Sequence, residues 1–113
     1  MHEMSIAQNL IEIIEEEMQK YNASILRSVH INIGQMSAIV PDALYFCFEV
    51  ITSRTKLEGA KLIMDIIPLK GCCHDCKSEF EIKDYAFICS ACGSTKIETI
   101  EGQSLSIVEI EVD

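Results

Sequence analysis

Four of the six cysteines in this 113-residue chain stand as two C-x2-C pairs, Cys73/Cys76 and Cys89/Cys92, with twelve residues between the pairs. Each pair can aim two thiolates at one ion. An intervening hairpin then closes them into a tetrahedral zinc site of the structural kind, which keeps no open position for a substrate. Residues 71–95 otherwise hold few aliphatic side chains, too few for a core without such a staple. A lone C-x2-C can work as a redox dithiol, but two at ribbon spacing point to zinc. Cys72 adjoins the first knuckle and His74 lies within it. Either could replace a cysteine ligand; the plainer reading leaves both off the metal.

Cysteines imply disulfides in a secreted chain and metal or redox chemistry in a cytosolic one. The start, Met1-His2-Glu3-Met4-Ser5, lacks a basic stretch, and the apolar residues after it are broken by Gln8, Asn9 and Glu12. No apolar run reaches the roughly 18 residues that span a bilayer. The expectation is a soluble cytoplasmic protein without a membrane partner. Eighteen acidic residues against nine basic ones leave a charge of −9, the wrong sign for phosphate backbones, which excludes nucleic acid as a partner. Four thiolates around one divalent zinc carry that charge to about −11.

Ile6, Leu10, Ile13, Ile14, Met18 and Tyr21 recur at helical spacing and predict a helix from Ser5 to about Tyr21, with Ser5 and Gln8 as a capping box. Val29, Ile31 and Ile33 alternate with Ser28, His30 and Asn32 and predict a strand with one buried face, ending at Gly34. Pro41 suits the first turn of a second helix, whose apolar stripe is Leu44, Cys47, Phe48 and Ile51; Cys47 reads there as a small buried hydrophobe. Residues 60–68 read as a strand apolar on both faces, hence deeply buried. Ile97–Ile100 and Leu105–Val112 read as two further strands with Gly102 as the turn between them. The fold class is α+β: a small mixed sheet of about three strands with two helices, and a zinc-ribbon module inserted before the C-terminal strand. The domains are 1–70 with 96–113, an α/β domain, and 71–95, the zinc-binding domain.

The N-terminus carries the second metal signal. The α-amine of Met1 with the amide nitrogen and imidazole of His2 can chelate one ion through adjoining rings, and the carboxylate or amide of Glu3 can complete the set. Nitrogen donors in a tetragonal arrangement suit Ni(II) or Cu(II). The site lies before a helix with no core to cage it, which suits ion transfer better than storage.

The MHE start, the pairs Cys73-x2-Cys76 and Cys89-x2-Cys92-Gly93-Ser94, and the terminal segment Leu105–Val112 together resemble the HypA family of nickel metallochaperones, over essentially the whole chain. Two departures are the Cys72–Cys73 doublet and Ser90-Ala91 in place of a proline-containing second knuckle. The resemblance implies that His2 is the nickel ligand, assisted by Glu3 and nearby backbone nitrogens, and that the 1–70 and 96–113 domain is the nickel-binding one. It implies structural zinc on the four cysteines and Ni(II) as transferred cargo. It also implies work beside a HypB-type GTPase and delivery to the [NiFe]-hydrogenase large-subunit precursor. Terminal strands and the zinc module offer contacts for a homodimer. On this reading the chain is not an enzyme: no Ser/His/Asp constellation, phosphate-binding glycine loop or carboxylate dyad is present, and His30 reads as a strand-face residue. The competing reading is a zinc-ribbon protein interaction module with an accidental MHE start.

Overall fold

A computed structural model describes residues 2–113. Its elements run α1 (Glu3–Lys20), β1 (Leu26–Gly34), a 3-10 turn (Gln35–Ser37), α2 (Pro41–Thr52), β2 (Lys61–Ile67), β3 (Lys70–Cys73), β4 (Glu79–Glu81), β5 (Ile97–Glu101) and β6 (Leu105–Val112). The strands form two three-stranded sheets, ordered β2-β1-β6 and β4-β3-β5. The chain divides into two compact units: residues 1–32, 39–65 and 106–113, and residues 33–38 with 66–105.

In the first unit α1 buries Ala7, Leu10, Ile11, Ile14 and Met18. Leu44 and Phe48 of α2, Leu26, Val29 and Ile31 of β1, and Leu62 of β2 complete that core. The helix begins two residues ahead of the predicted capping box. His2 is its N-cap, without a side-chain cap bond, and Glu3 places an acidic charge in the first turn, where the helix dipole favours one. At the other end Asn22 takes positive φ, and the Ala23 amide bonds the Met18 carbonyl, a Schellman closure that turns the chain toward β1. Pro41 opens α2 as expected, and the buried Thr52 hydroxyl donates to the Phe48 carbonyl at 2.9 Å.

Three packing expectations are corrected. Ile13 and Tyr21 stay exposed, because Ala7 and Ile11, not they, share the buried stripe with Leu10 and Ile14. Cys47 is half-buried, on the margin of the α2 stripe instead of inside it. Strand β2 is less buried than expected: Leu62 is buried and Met64 and Ile67 are half-buried, whereas Ile63 and Asp65 lie exposed on one face and Ile66 exposed on the other. His30, on the corresponding open face of β1, bonds Asp65 through Nε2 at 2.6 Å, which confirms a strand-face role.

The second unit has a small core of Ile33, Leu69, Ile82, Cys73 and Cys89. Two strands here, β3 and β4, went unpredicted. They pair antiparallel around the first cysteine knuckle, and β5 pairs antiparallel on the other side of β3. Gly71 sits between Ile82 and Ile97 so closely that a Cβ would lie 2.8 and 2.7 Å from their side chains. Gly102, expected as a turn, has φ +88°, and a Cβ there would lie 2.5 Å from the Pro68 carbonyl oxygen and 2.6 Å from the Leu69 Cα. Both contacts are backbone, so neither can swing aside. Gly102→Ala is therefore expected to destabilise by about 2–3 kcal/mol. Gly59→Ala, at φ +89° with nothing within 4 Å, is expected to lose only about 1 kcal/mol from its backbone conformation. Paired thermal melts check the difference; equal losses would mean that the close approach at Gly102 contributes nothing.

Candidate metal sites

The two C-x2-C knuckles are built alike. The Cys73 amide donates to the Ser78 carbonyl at 2.9 Å, and the Lys77 amide donates back to the Cys73 carbonyl at 2.9 Å. In the second knuckle the Cys89 amide donates to the Ser94 carbonyl at 2.8 Å, and the Gly93 amide to the Cys89 carbonyl at 2.9 Å. In each the residue after the second cysteine takes positive φ, 65° at Lys77 and 77° at Gly93. That reversal lets both cysteines of a pair face one point. Glycine enters it without penalty; Lys77 does so at some conformational cost.

The four sulfurs converge. Cys73 and Cys92 lie 3.6 Å apart, Cys76 and Cys89 3.5 Å, and all four sit within 4.8 Å of one another. Tetrahedral zinc with Zn–S bonds near 2.3 Å needs sulfurs about 3.8 Å apart, so the donor set fits this ion in number, element and spacing. The distances are far beyond a sulfur–sulfur bond of about 2 Å, and all six cysteines are free thiols. The amides of Ala91 and Cys92 both reach the Cys89 sulfur at 3.4 Å, the arrangement that stabilises thiolate charge. Ser94 Oγ donates to the Asp75 carboxylate at 2.5 Å and ties one knuckle to the other.

Proton affinities in the cluster are pulled apart. Cys76 is drawn down to about 6, first by the Ser78 hydroxyl 3.3 Å from its sulfur and then by the Ser78 amide. Cys73 is lowered as well, chiefly by the Cys76 amide. Cys92 is pushed up to about 12: the Ser94 amide works in the opposite direction, but the Cys73 sulfur, burial, and the sulfurs of Cys76 and Cys89 outweigh it. Four thiolates cannot crowd together without a cation among them. Zinc would supply that cation, and the four sulfurs would hold it in a closed site. Cys72 and His74 stand outside it: the Cys72 sulfur turns toward the Cys73 carbonyl, and the exposed His74 approaches Glu98 at 3.7 Å.

The N-terminal candidate residues occupy the first unit. His2 is exposed, with extended backbone (φ −97°, ψ 91°), and its carbonyl accepts the first helical bond from the Ile6 amide at 3.2 Å. The opening amides of a helix have no carbonyl one turn earlier to bond, so their nitrogens point away from the helix body. Glu3 is occupied in a way no sequence pattern announced. Its Oε2 accepts the backbone N–H of Val40, the residue that caps α2, at 3.2 Å, and this bond is the main reason its carboxyl lies below the ordinary range. Val40 follows Glu3 by 37 residues, a separation that local periodicity cannot bridge. The Met1 amine expected in the chelate lies outside the described residues.

The fold and the cysteine site define a zinc-stapled α+β protein, and comparison with known proteins places it more closely. Residues 1–112 match the family described as "Hydrogenase/urease nickel incorporation, metallochaperone, hypA". The hydrogenase maturation factor HypA of Geotalea uraniireducens is 40% identical over 113 residues, covering all of both chains. That of Trichodesmium erythraeum is 41% identical over all of this chain and 96% of its own length. The solution structure of the nickel metallochaperone HypA from Helicobacter pylori matches the fold with a TM-score of 0.73 at 24% identity, covering 99% of this chain and 97% of that one. The chain belongs to the HypA family of nickel-incorporation metallochaperones for hydrogenase maturation.

Proposed function

We propose that this chain binds Ni(II) through the Met1 amine and the amide and imidazole nitrogens of His2, assisted by Glu3, and releases it during [NiFe]-hydrogenase maturation. Structural zinc is held by Cys73, Cys76, Cys89 and Cys92. The observation that carries the nickel reading is the placement of His2: exposed, at the N-cap of α1, ahead of helix-start amides, with Glu3 fixed to the Val40 amide. One Glu3 oxygen is engaged by that bond, so Glu3 assists chiefly with its backbone nitrogen while its carboxylate holds the start of α1 against the start of α2. Nitrogen donors without a closed cage give a site that a competing ligand set can empty, as delivery requires. The work is binding and release in the cytoplasm, without catalysis. The partners this implies are a HypB-type GTPase and the hydrogenase large-subunit precursor, with a homodimer as the third interaction.

Protein purified with its native N-terminus is expected to take up stoichiometric Ni(II) beyond its zinc in a calorimetric titration. The same chain with a tag joined ahead of Met1, which converts the amine to an amide, is expected to lose that uptake. Equal uptake by both would discard the N-terminal chelate, and no uptake by either would leave the zinc-ribbon interaction module as the better description.

A further inference from the structure

The residues that helical spacing placed in the core of α1 but the structure leaves outside are not scattered. Ile13 is 46% exposed and Tyr21 74%, and together with Met18 they form one wall of a groove of about 360 Å³. The other wall is β6, where Val108 is 52% exposed beside Ile110. Strand β6 lies at the margin of the β2-β1-β6 sheet, so among the described residues one of its two sides has no strand neighbour. A strand edge eight residues long is a template for another strand, and here the charges it carries decide which strand it accepts.

The charges around the groove select the occupant. Glu17 and Glu109 line it, and Glu111 follows on the same strand. The nearby cations are already engaged: Lys20 pairs with Glu17 at 3.1 Å, and Arg27 pairs with Asp113. A second copy adding its β6 here would bring Glu109 and Glu111 toward their own counterparts, with −9 on each chain, and like charges facing across a strand pair are destabilising. We propose that this groove receives an extended segment of a partner protein, alternately apolar and basic, which adds to the free edge of β6 as a fourth strand and packs its apolar side chains against Ile13, Tyr21 and Val108. The surface uses none of the candidate metal ligands, so it is tested separately from nickel binding.

The probe is a short synthetic peptide alternating Val and Lys, titrated into isotope-labelled, zinc-loaded full-length protein, with a Val/Glu peptide as its counterpart. The Val/Lys peptide is expected to bind, with amide shifts concentrated in β6 and the second half of α1. Its affinity is expected to fall by about tenfold in high salt, in Val108→Lys and in Ile13→Lys. Both substitutions fall at exposed positions on different elements, and circular dichroism verifies that each variant keeps its fold. Equal binding of the two peptides, or shifts on another face, would overturn the proposal. So would a homodimer in sedimentation that Val108→Lys dissociates, because a second copy would then be the occupant.

Discussion

His2→Ala is expected to abolish stoichiometric Ni(II) binding while zinc content, helicity and thermal stability stay at their native values. The imidazole closes one of the two chelate rings around the ion, and removing it leaves an amine and an amide too weak to hold nickel at micromolar concentration. The expected loss is on the order of a thousandfold in affinity, about 4 kcal/mol. The fold has little reason to respond: His2 is exposed and makes no side-chain cap bond to α1. Glu3→Gln is the informative companion. Glutamine keeps an acceptor for the Val40 amide, at an uncharged bond's strength, and keeps the backbone nitrogen, so it is expected to weaken nickel by only about tenfold. Calorimetry on native-terminus protein with parallel zinc analysis measures both. Unchanged nickel affinity in His2→Ala would reject the assignment. A Glu3→Gln loss as large as that of His2→Ala would make the carboxylate itself a principal ligand.

What could be read from the sequence follows the range of each interaction. The knuckles were legible because their cysteines are local and their chemistry is narrow; two pairs of thiols at that spacing have few uses other than zinc. The helices and the strands of the β2-β1-β6 sheet were legible because their faces repeat at 3.6 and 2 residues. Strands β3 and β4 were not. Four and three residues long, they pair around a metal knuckle; β3 has no apolar alternation, and the alternation of Phe80 and Ile82 in and after β4 is too short a run to announce a strand. The Glu3–Val40 bond was invisible for a different reason, since it joins two helix starts through a backbone amide that any residue at position 40 other than proline would offer. The error at Ile13 and Tyr21 carries a physical lesson. Helical spacing allowed two overlapping apolar stripes on α1, and only the path of the neighbouring chain decides which of them is covered.

Cys73→Ser and Cys92→Ser are expected to lose zinc altogether and to unfold much of residues 66–105, leaving α1 and α2 folded. Zinc bound to a closed thiolate site contributes about 10–16 kcal/mol of apparent binding free energy in isolated modules, comparable to or larger than the whole stability of a small domain. The unit around it has little else to draw on. Its buried apolar residues are few, Leu69 and Ile82 foremost, and two of the cysteine side chains are themselves part of that core. Removing one sulfur leaves three crowded thiols without the ion that made their ionisation tolerable. The substitution at Cys73 adds a buried hydroxyl in place of a fully buried sulfur, whereas Cys92 is exposed. If zinc is the dominant contribution, the two variants fail to the same extent despite that difference in burial. If packing dominates, Cys73→Ser alone collapses and Cys92→Ser holds its fold. Amide spectra resolve the two cases: signals of β3, β4 and β5 are expected to merge into the unfolded envelope in both variants while those of α1 and α2 stay dispersed. One equivalent of retained zinc with native melting in Cys92→Ser would refute the role given to the metal.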